Sequence, residues 1–364
     1  MIALICRAIT VTAFLIACPL LGDEITPELR AAFGERLAEL RTQISSNKAN
    51  LDVPSAMEQL LYTRWPEESL PEVNRLIQVS VRNFGLQNCG NSSTICSLVR
   101  RIPDVCEPYA NDVAELMESA EIGEKLGLLS SLRLLGESAS GQVELVRKEL
   151  GHSSPVIQIH AAATLVTIAN DAAATRFLLR AMSGKSPPLQ WRAVYLLGKS
   201  GRNEKAWLEP IRKLAKDNDV AVRTAAASAI WNLTGKPEEC LLVLLDVIQR
   251  RDQSMAMGFA YPSDMGDSHR ILALMTLSSI GTDAAEAIPR VIQILDETTK
   301  VDQPSSAIHK LSWYALSALT ELGPEAAKAL PQVRLMAQRP GTIFQQIPKK
   351  TEELLSKLQA ARPG

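Results

Sequence analysis

Aromatic residues make up only 4% of this chain, and that shortage is the first constraint on its fold. Strands favour aromatic and β-branched side chains. Here the apolar residues are mostly Ala and Leu, which suit closely packed helices. An excess of charge of one sign is lacking too: 39 Lys and Arg face 40 Asp and Glu, for a formal net charge of −1. No global field pulls such a chain toward a polyanion, so no nucleic acid is expected as a partner. Histidine is scarce, with four in 364 residues. His152, His160, His269 and His309 are scattered, so they form no paired-His metal motif. A glycine-rich phosphate loop and a nucleophile elbow are missing as well. With its chemistry-bearing residues ungrouped, the sequence predicts no enzyme activity, no cofactor and no metal.

The first 22 residues read as an address. Residues 1–7 contain one positive charge, Arg7, and residues 8–17 form an apolar run of signal-peptide length. Leu15-Ile16-Ala17-Cys18 resembles the lipobox of bacterial lipoproteins, whose cysteine takes a lipid and becomes the mature N-terminus. Pro19 departs from that pattern. Cleavage near Gly22, before Asp23-Glu24, is the second reading, and an uncleaved anchor is the third. All three predict an exported protein of the cell envelope or periplasm, with lipidation at Cys18 in the first.

Cys89, Cys96, Cys106 and Cys240 follow this segment. An even number of cysteines in an oxidising compartment permits disulfides. The turn-rich Gly90-Asn91-Ser92-Ser93 would be closed by a Cys89–Cys96 bridge. The spacings of the first three, seven and ten residues, match no zinc motif. Cys240 lies in an apolar run and reads as a buried small hydrophobe.

What the sequence does contain is a repeat. A small residue closes an apolar segment at Gly136, Ala169, Gly201, Thr234, Gly281 and Gly323, in steps of 33, 32, 33, 47 and 42 residues. Four residues before each stand Leu132, Leu165, Leu197, Ile230, Leu277 and Leu319. Eight before stand Leu128, Ala161, Ala193, Ala226, Ala273 and Ala315. Positions four apart share a helix face, so the two columns mark the core seam of stacked first helices, with small residues permitting close approach. Second helices follow, with apolar stripes such as Val143/Val146/Leu150, Phe177/Leu178/Ala181, Ile211/Leu214 and Val333/Met336. Pro210, Pro289 and Pro331 are expected in their first turns, where a missing N–H costs little.

The segment from Asp219 to Gly235, with Val222-Arg223 opening it, an Ala-rich middle and Leu233 before the closing Gly, resembles the first helix of a HEAT-like repeat. Ile280-Gly281-Thr282-Asp283-Ala284-Ala285-Glu286-Ala287-Ile288-Pro289 and Leu322-Gly323-Pro324-Glu325-Ala326-Ala327-Lys328-Ala329-Leu330-Pro331 resemble that family's turn and second-helix start. The resemblance implies an all-α protein, a right-handed α-α superhelix of stacked helix pairs. Six units would span residues 122–340, preceded by an N-terminal helical region over 23–121 and followed by a capping helix within 341–364. Residues 23–121 read as degenerate repeats or as an independent helical domain. Leu29/Phe33/Leu37/Leu40 are spaced for one amphipathic helix there.

Such arrays hold partners, so the expected function is an exported scaffold that binds a protein through its solenoid surface. The alternative is an enzyme on the same repeats, of the phycobilin lyase type. Two sets of residues are candidates for the contact. Eleven after the marker lie Arg147, Arg180, Arg212 and Arg334, a ladder suited to carboxylates. Its structural alternative is a bridge between repeats through turn acids such as Asp171, Asp283 and Glu325. The insertion over residues 254–267 offers Met255, Met257, Phe259 and Tyr261, adaptable apolar surface in a turn. Asp264, Asp267 and His269 are too few for a cation site. The export reading is testable at one atom. Cys18→Ala is expected to shift the protein from the membrane fraction to a soluble or unprocessed form. An unchanged distribution with a mature mass starting at Asp23 rejects lipidation and leaves export standing.

Overall fold

The computed structural model describes residues 27–45, 52–63, 65–200, 205–249, 269–300 and 306–337, together with Leu354 and Ser356. Among them every regular element is helical, either α or short 3-10. The chain divides into two compact units, Met1–Asp171 and Ala172–Gly364.

The first unit begins with α1 (Pro27–Ser45), α2 (Val53–Tyr62) and α3 (Leu70–Phe84). Phe33, Leu37 and Leu40 are buried on α1, three to four residues apart, and Ile44 extends the stripe. Both α1 and α2 pack on α3. Helix α4 (Ser92–Arg101) is started by Asn91, whose side chain accepts from the Thr94 N–H at 3.0 Å. After it come α5 (Pro103–Cys106), a 3-10 turn and α6 (Ala110–Glu115). Helix α7 (Ile122–Leu135) opens with a reciprocal capping box between Glu121 and Glu124. A 3-10 run, α8 (Val143–Lys148) and α9 (Pro155–Ala169) complete this unit. Helix α7 lies between α4 and α9. The buried Thr164 hydroxyl donates across the α7–α9 contact to the Leu129 carbonyl at 3.0 Å.

The second unit contains α10 (Ala172–Met182), α11 (Pro187–Gly198), α12 (Lys205–Leu214), α13 (Val220–Thr234) and α14 (Leu241–Gln249). It continues with α15 (His269–Ile280), α16 (Ile288–Thr299), α17 (Ser306–Glu321) and α18 (Leu330–Ala337). Alternate helices pack on one another: α11 on α13, α13 on α15 and α15 on α17. A second series runs α14, α16, α18. The stretch His269–Thr299 is long and apolar enough to cross a membrane by length and composition. In the fold it is two helices broken by the 3-10 run Gly281–Ala287, with both apolar faces in the core.

Both sequence columns are buried. Leu132, Leu165, Leu197, Ile230, Leu277 and Leu319 are at most 1% exposed, and the column four residues earlier is fully covered. Helices α9, α13 and the 3-10 runs after α15 and α17 turn at residues with positive φ: Asn170, Gly235, Gly281 and Gly323. Gly281 and Gly323 are markers themselves, and Asn170 and Gly235 each follow one directly, in a conformation that Gly and Asn reach most easily. One expectation fails here. Pro210 lies inside α12, five residues beyond Lys205, rather than in its first turn. The fully buried Trp207 anchors an earlier turn of this helix, and Pro210 forgoes one backbone bond within it. Pro289 and Pro331 do fall in first turns, those of α16 and α18.

Helix α11 meets α13 at near-backbone distance. A Cβ placed on Gly198 would lie 2.6 Å from the Ala229 Cβ and 2.7 Å from its Cα. Backbone cannot yield as a side-chain tip can, so Gly198→Ala is expected to destabilise the protein by roughly 1–3 kcal/mol. A Gly141→Ala control, which meets nothing within 4 Å, should leave the urea midpoint nearly unchanged. Equal midpoints for the two variants would reject the close approach.

Candidate partner-binding surface

The arginines eleven residues after the marker have different fates. Arg147, on α8, donates from Nη2 to Asp171 Oδ2 at 2.8 Å and also pairs with Glu144 one turn earlier. Asp171 is presented by the left-handed Asn170 that ends α9. Arg212, on α12, donates from Nε and Nη2 to Glu239 Oε2 at 3.0 and 2.7 Å, and from Nη1 to Glu209 at 2.7 Å. Glu239 ends the 3-10 turn that follows α13. Each of these arginines thus reaches from a second helix to the turn after the next first helix. The hydrogen bond to Asp171 raises the Arg147 guanidinium above its ordinary value, helped by the Glu144 charge. Glu239, then Glu209, does the same for Arg212.

Asp171 therefore acts as the expected turn acid, whereas Glu325 pairs with Lys328 at 2.7 Å. Arg180 and Arg334 are exposed and pair with no acid among the described residues. The ladder divides into two arginines held by the protein's own carboxylates and two that face solvent.

A second polar column escaped the sequence reading. Eleven residues before the marker stand Lys125, Gln158, Gln190, Arg223 and Arg270, in the first turns of first helices. Four of them donate to backbone carbonyls at the end of the preceding second helix or its turn. Gln158 bonds His152 O at 2.7 Å, and Gln190 bonds Met182 O at 3.0 Å. Arg223 bonds Asp217 O at 2.6 Å and Asn218 O at 2.9 Å. Arg270 bonds Ile248 O at 2.9 Å and Glu297 at 3.1 Å. Lys125 instead holds Glu149 at 2.8 Å. Met182 and Ile248 carry last carbonyls of their helices, which have no partner within the helix, whereas His152, Asp217 and Asn218 lie in the turns beyond. The arginine of the Val222-Arg223 pair was the available signal, because the same offset carries a long donor in five of six units.

Burial separates the two columns. The side chains of Lys125, Arg223 and Arg270 are 12%, 14% and 11% exposed, against 45% and 40% for Arg147 and Arg212. The inner column fastens helix pairs together, while the outer one stays open to solvent.

Other candidates lie elsewhere. Met255, Met257, Phe259, Tyr261 and Cys18 fall outside the described residues, as do Asp264 and Asp267. His269 is buried as the first residue of α15. No group of three metal-ligating side chains occurs among the described residues. Cys89 and Cys96, the expected pair, are both buried, on either side of a turn held by the Asn91 cap. Cys240 is a buried free thiol, raised to about 12 by burial first and then by Glu239 and Glu238.

No family model matches the chain, and no curated protein matches it. Among solved structures it is similar to the crystal structure of an engineered protein from a structural genomics consortium. That likeness spans 90% of this chain and 91% of the other, at 15% identity and a TM-score of 0.34. The all-α, repeat-like assignment stands on the packing and columns of the chain itself.

The two columns predict different responses to substitution. Arg270→Leu removes the donor to the Ile248 carbonyl and one partner of Glu297, and is expected to cost about 1–3 kcal/mol. Arg270→Gln, which restores the residue type found at Gln158 and Gln190, should recover part of that loss. Arg212→Gln, at an exposed pair, should move the urea midpoint far less than Arg270→Leu. A larger effect at Arg212 than at Arg270 would reverse the assignment of inner and outer columns.

Proposed function

We propose that this protein is an exported scaffold, a right-handed solenoid of HEAT-like helix pairs that binds a protein partner. The observation that carries the reading is the register. Six first helices bury the same two columns, and in each unit first helices stack on one another. A chain organised this way presents second helices and turns as an extended surface, which is how such arrays commonly engage other proteins.

On that surface Arg147 and Arg212 are engaged by Asp171 and Glu239, so Arg180 and Arg334 are the members best placed for a partner's carboxylates. Leu335, 54% exposed beside Arg334, adds apolar area at that point. The insertion bearing Met255, Met257, Phe259 and Tyr261 is the second contact region. Export, with lipid attachment at Cys18 as one form of it, places the partner in the cell envelope. Electrostatic recognition of this kind weakens with salt, whereas an apolar loop contact does not.

Affinity capture from envelope fractions, followed by titration of the retained protein, tests the proposal. Arg180→Gln/Arg334→Gln is expected to reduce affinity and its salt dependence while leaving the fold intact. Deletion of residues 255–265 should reduce the salt-independent part. If the retained protein binds both variants as it binds the parent, these surfaces are not the interface. If the chain instead fractionates with the cytoplasm, the envelope scaffold is rejected.

A further inference from the structure

We propose that Cys89 and Cys106 form a disulfide as the chain folds in an oxidising compartment, joining the turn after α3 to the end of α5. The inference rests on the export reading for its setting, but its geometry is independent of it. Helix α3 ends at Gly85, and the 3-10 turn Leu86–Asn88 delivers Cys89 into the interior, where its thiol donates to the Gly85 carbonyl at 3.2 Å. Helix α5 packs on α3 and carries Cys106 as its last residue.

The Tyr109 hydroxyl, three residues beyond Cys106, donates to the Val81 carbonyl of α3 at 3.1 Å and holds these segments against each other. Cys89 and Cys106 are both fully buried on these packed segments, and Cys89 raises the Cys106 thiol. Cys96 is turned toward another neighbour: a Cβ on Gly127 of α7 would lie 3.1 Å from its sulfur. That placement favours Cys106 over Cys96 as the partner of Cys89.

Burial also sets when the bond can form. Both thiols are raised to about 12, by burial first and at Cys106 also by Cys89. Thiol–disulfide exchange needs a thiolate with access to the oxidant, and the folded interior denies both. The exchange therefore belongs to the partly folded chain. One thiolate attacks a small disulfide such as oxidised glutathione, releasing one reduced thiol and leaving a mixed disulfide. The second thiolate attacks the protein sulfur of that mixed disulfide and expels the other thiol. Two electrons and two protons pass from the pair to the oxidant, and closure of α5 on α3 then shields the product.

The test refolds the full chain from denaturant with a mixture of reduced and oxidised glutathione, alkylates remaining thiols, and maps peptides by mass. The expected result is a cross-linked Cys89–Cys106 peptide, retained in Cys96→Ala. The same mixture added to the already folded, reduced chain should fail to produce it. The parent should lose urea resistance on reduction, while Cys89→Ala/Cys106→Ala should show no such difference. Separate alkylation of both cysteines after refolding, or a Cys89–Cys96 cross-link, would overturn the proposal. This readout uses purified chain, so its failure is distinct from a failure of export, which fractionation reports.

Discussion

Close approach of one first helix to the next is the constraint on which the rest of this structure depends. Small residues make it feasible: the column Ala161, Ala193, Ala226, Ala273 and Ala315 is fully covered, and at Gly198 the facing backbone of Ala229 occupies the space of a Cβ. At such separations the contact is made largely by backbone and methyl groups, which have no rotamers to lose and no long side chains to adjust. Large apolar residues fill the next position along, in the Leu and Ile column. The shortage of aromatics is a consequence, because rings would hold these helices apart.

A stack so dry creates a polar difficulty at its edges. Each second helix ends with carbonyls that have no partner within the helix, close to where the next pair begins. The side chains of Gln190 and Arg270 reach back to such carbonyls, and those of Gln158 and Arg223 to carbonyls of the turn beyond. A long donor in the first turn of one helix thereby closes the helix before it, and successive pairs become dependent on each other. Arg147 and Arg212 act farther out, on turn carboxylates rather than carbonyls, at positions where water competes. Two guanidinium columns thus have different consequences for stability, although both come from the same residue chemistry at fixed offsets from the marker.

The division between them matters for the proposed function. A guanidinium already held by two carboxylates has less to offer an incoming acid, because binding would exchange one ion pair for another. Arg180 and Arg334 carry no such intramolecular partner among the described residues, so the surface read from sequence as a continuous ladder is reduced to particular members. The three cysteines of the first unit show the same sorting. Cys89 and Cys96 sit on either side of a capped turn, with the Cys96 sulfur beside Gly127 of α7, while α5, which ends at Cys106, returns onto α3.

Sequence by itself determined the helical class, the turns at or one residue beyond the described markers, and the two buried columns. These are local properties: a period of 3.6 residues, a left-handed turn and a small side chain at a fixed offset are written in neighbouring positions. It also made Arg147 and Asp171 a candidate pair, though not a preference between bridge and binding site. Only the tertiary structure decided which arginines find acids, that Pro210 lies inside a helix anchored by Trp207, and which cysteine faces which helix. The ion pairs among them join groups 24 and 27 residues apart in the chain. Their approach is set by how closely the helices between them pack, a sum of many contacts that no short motif encodes.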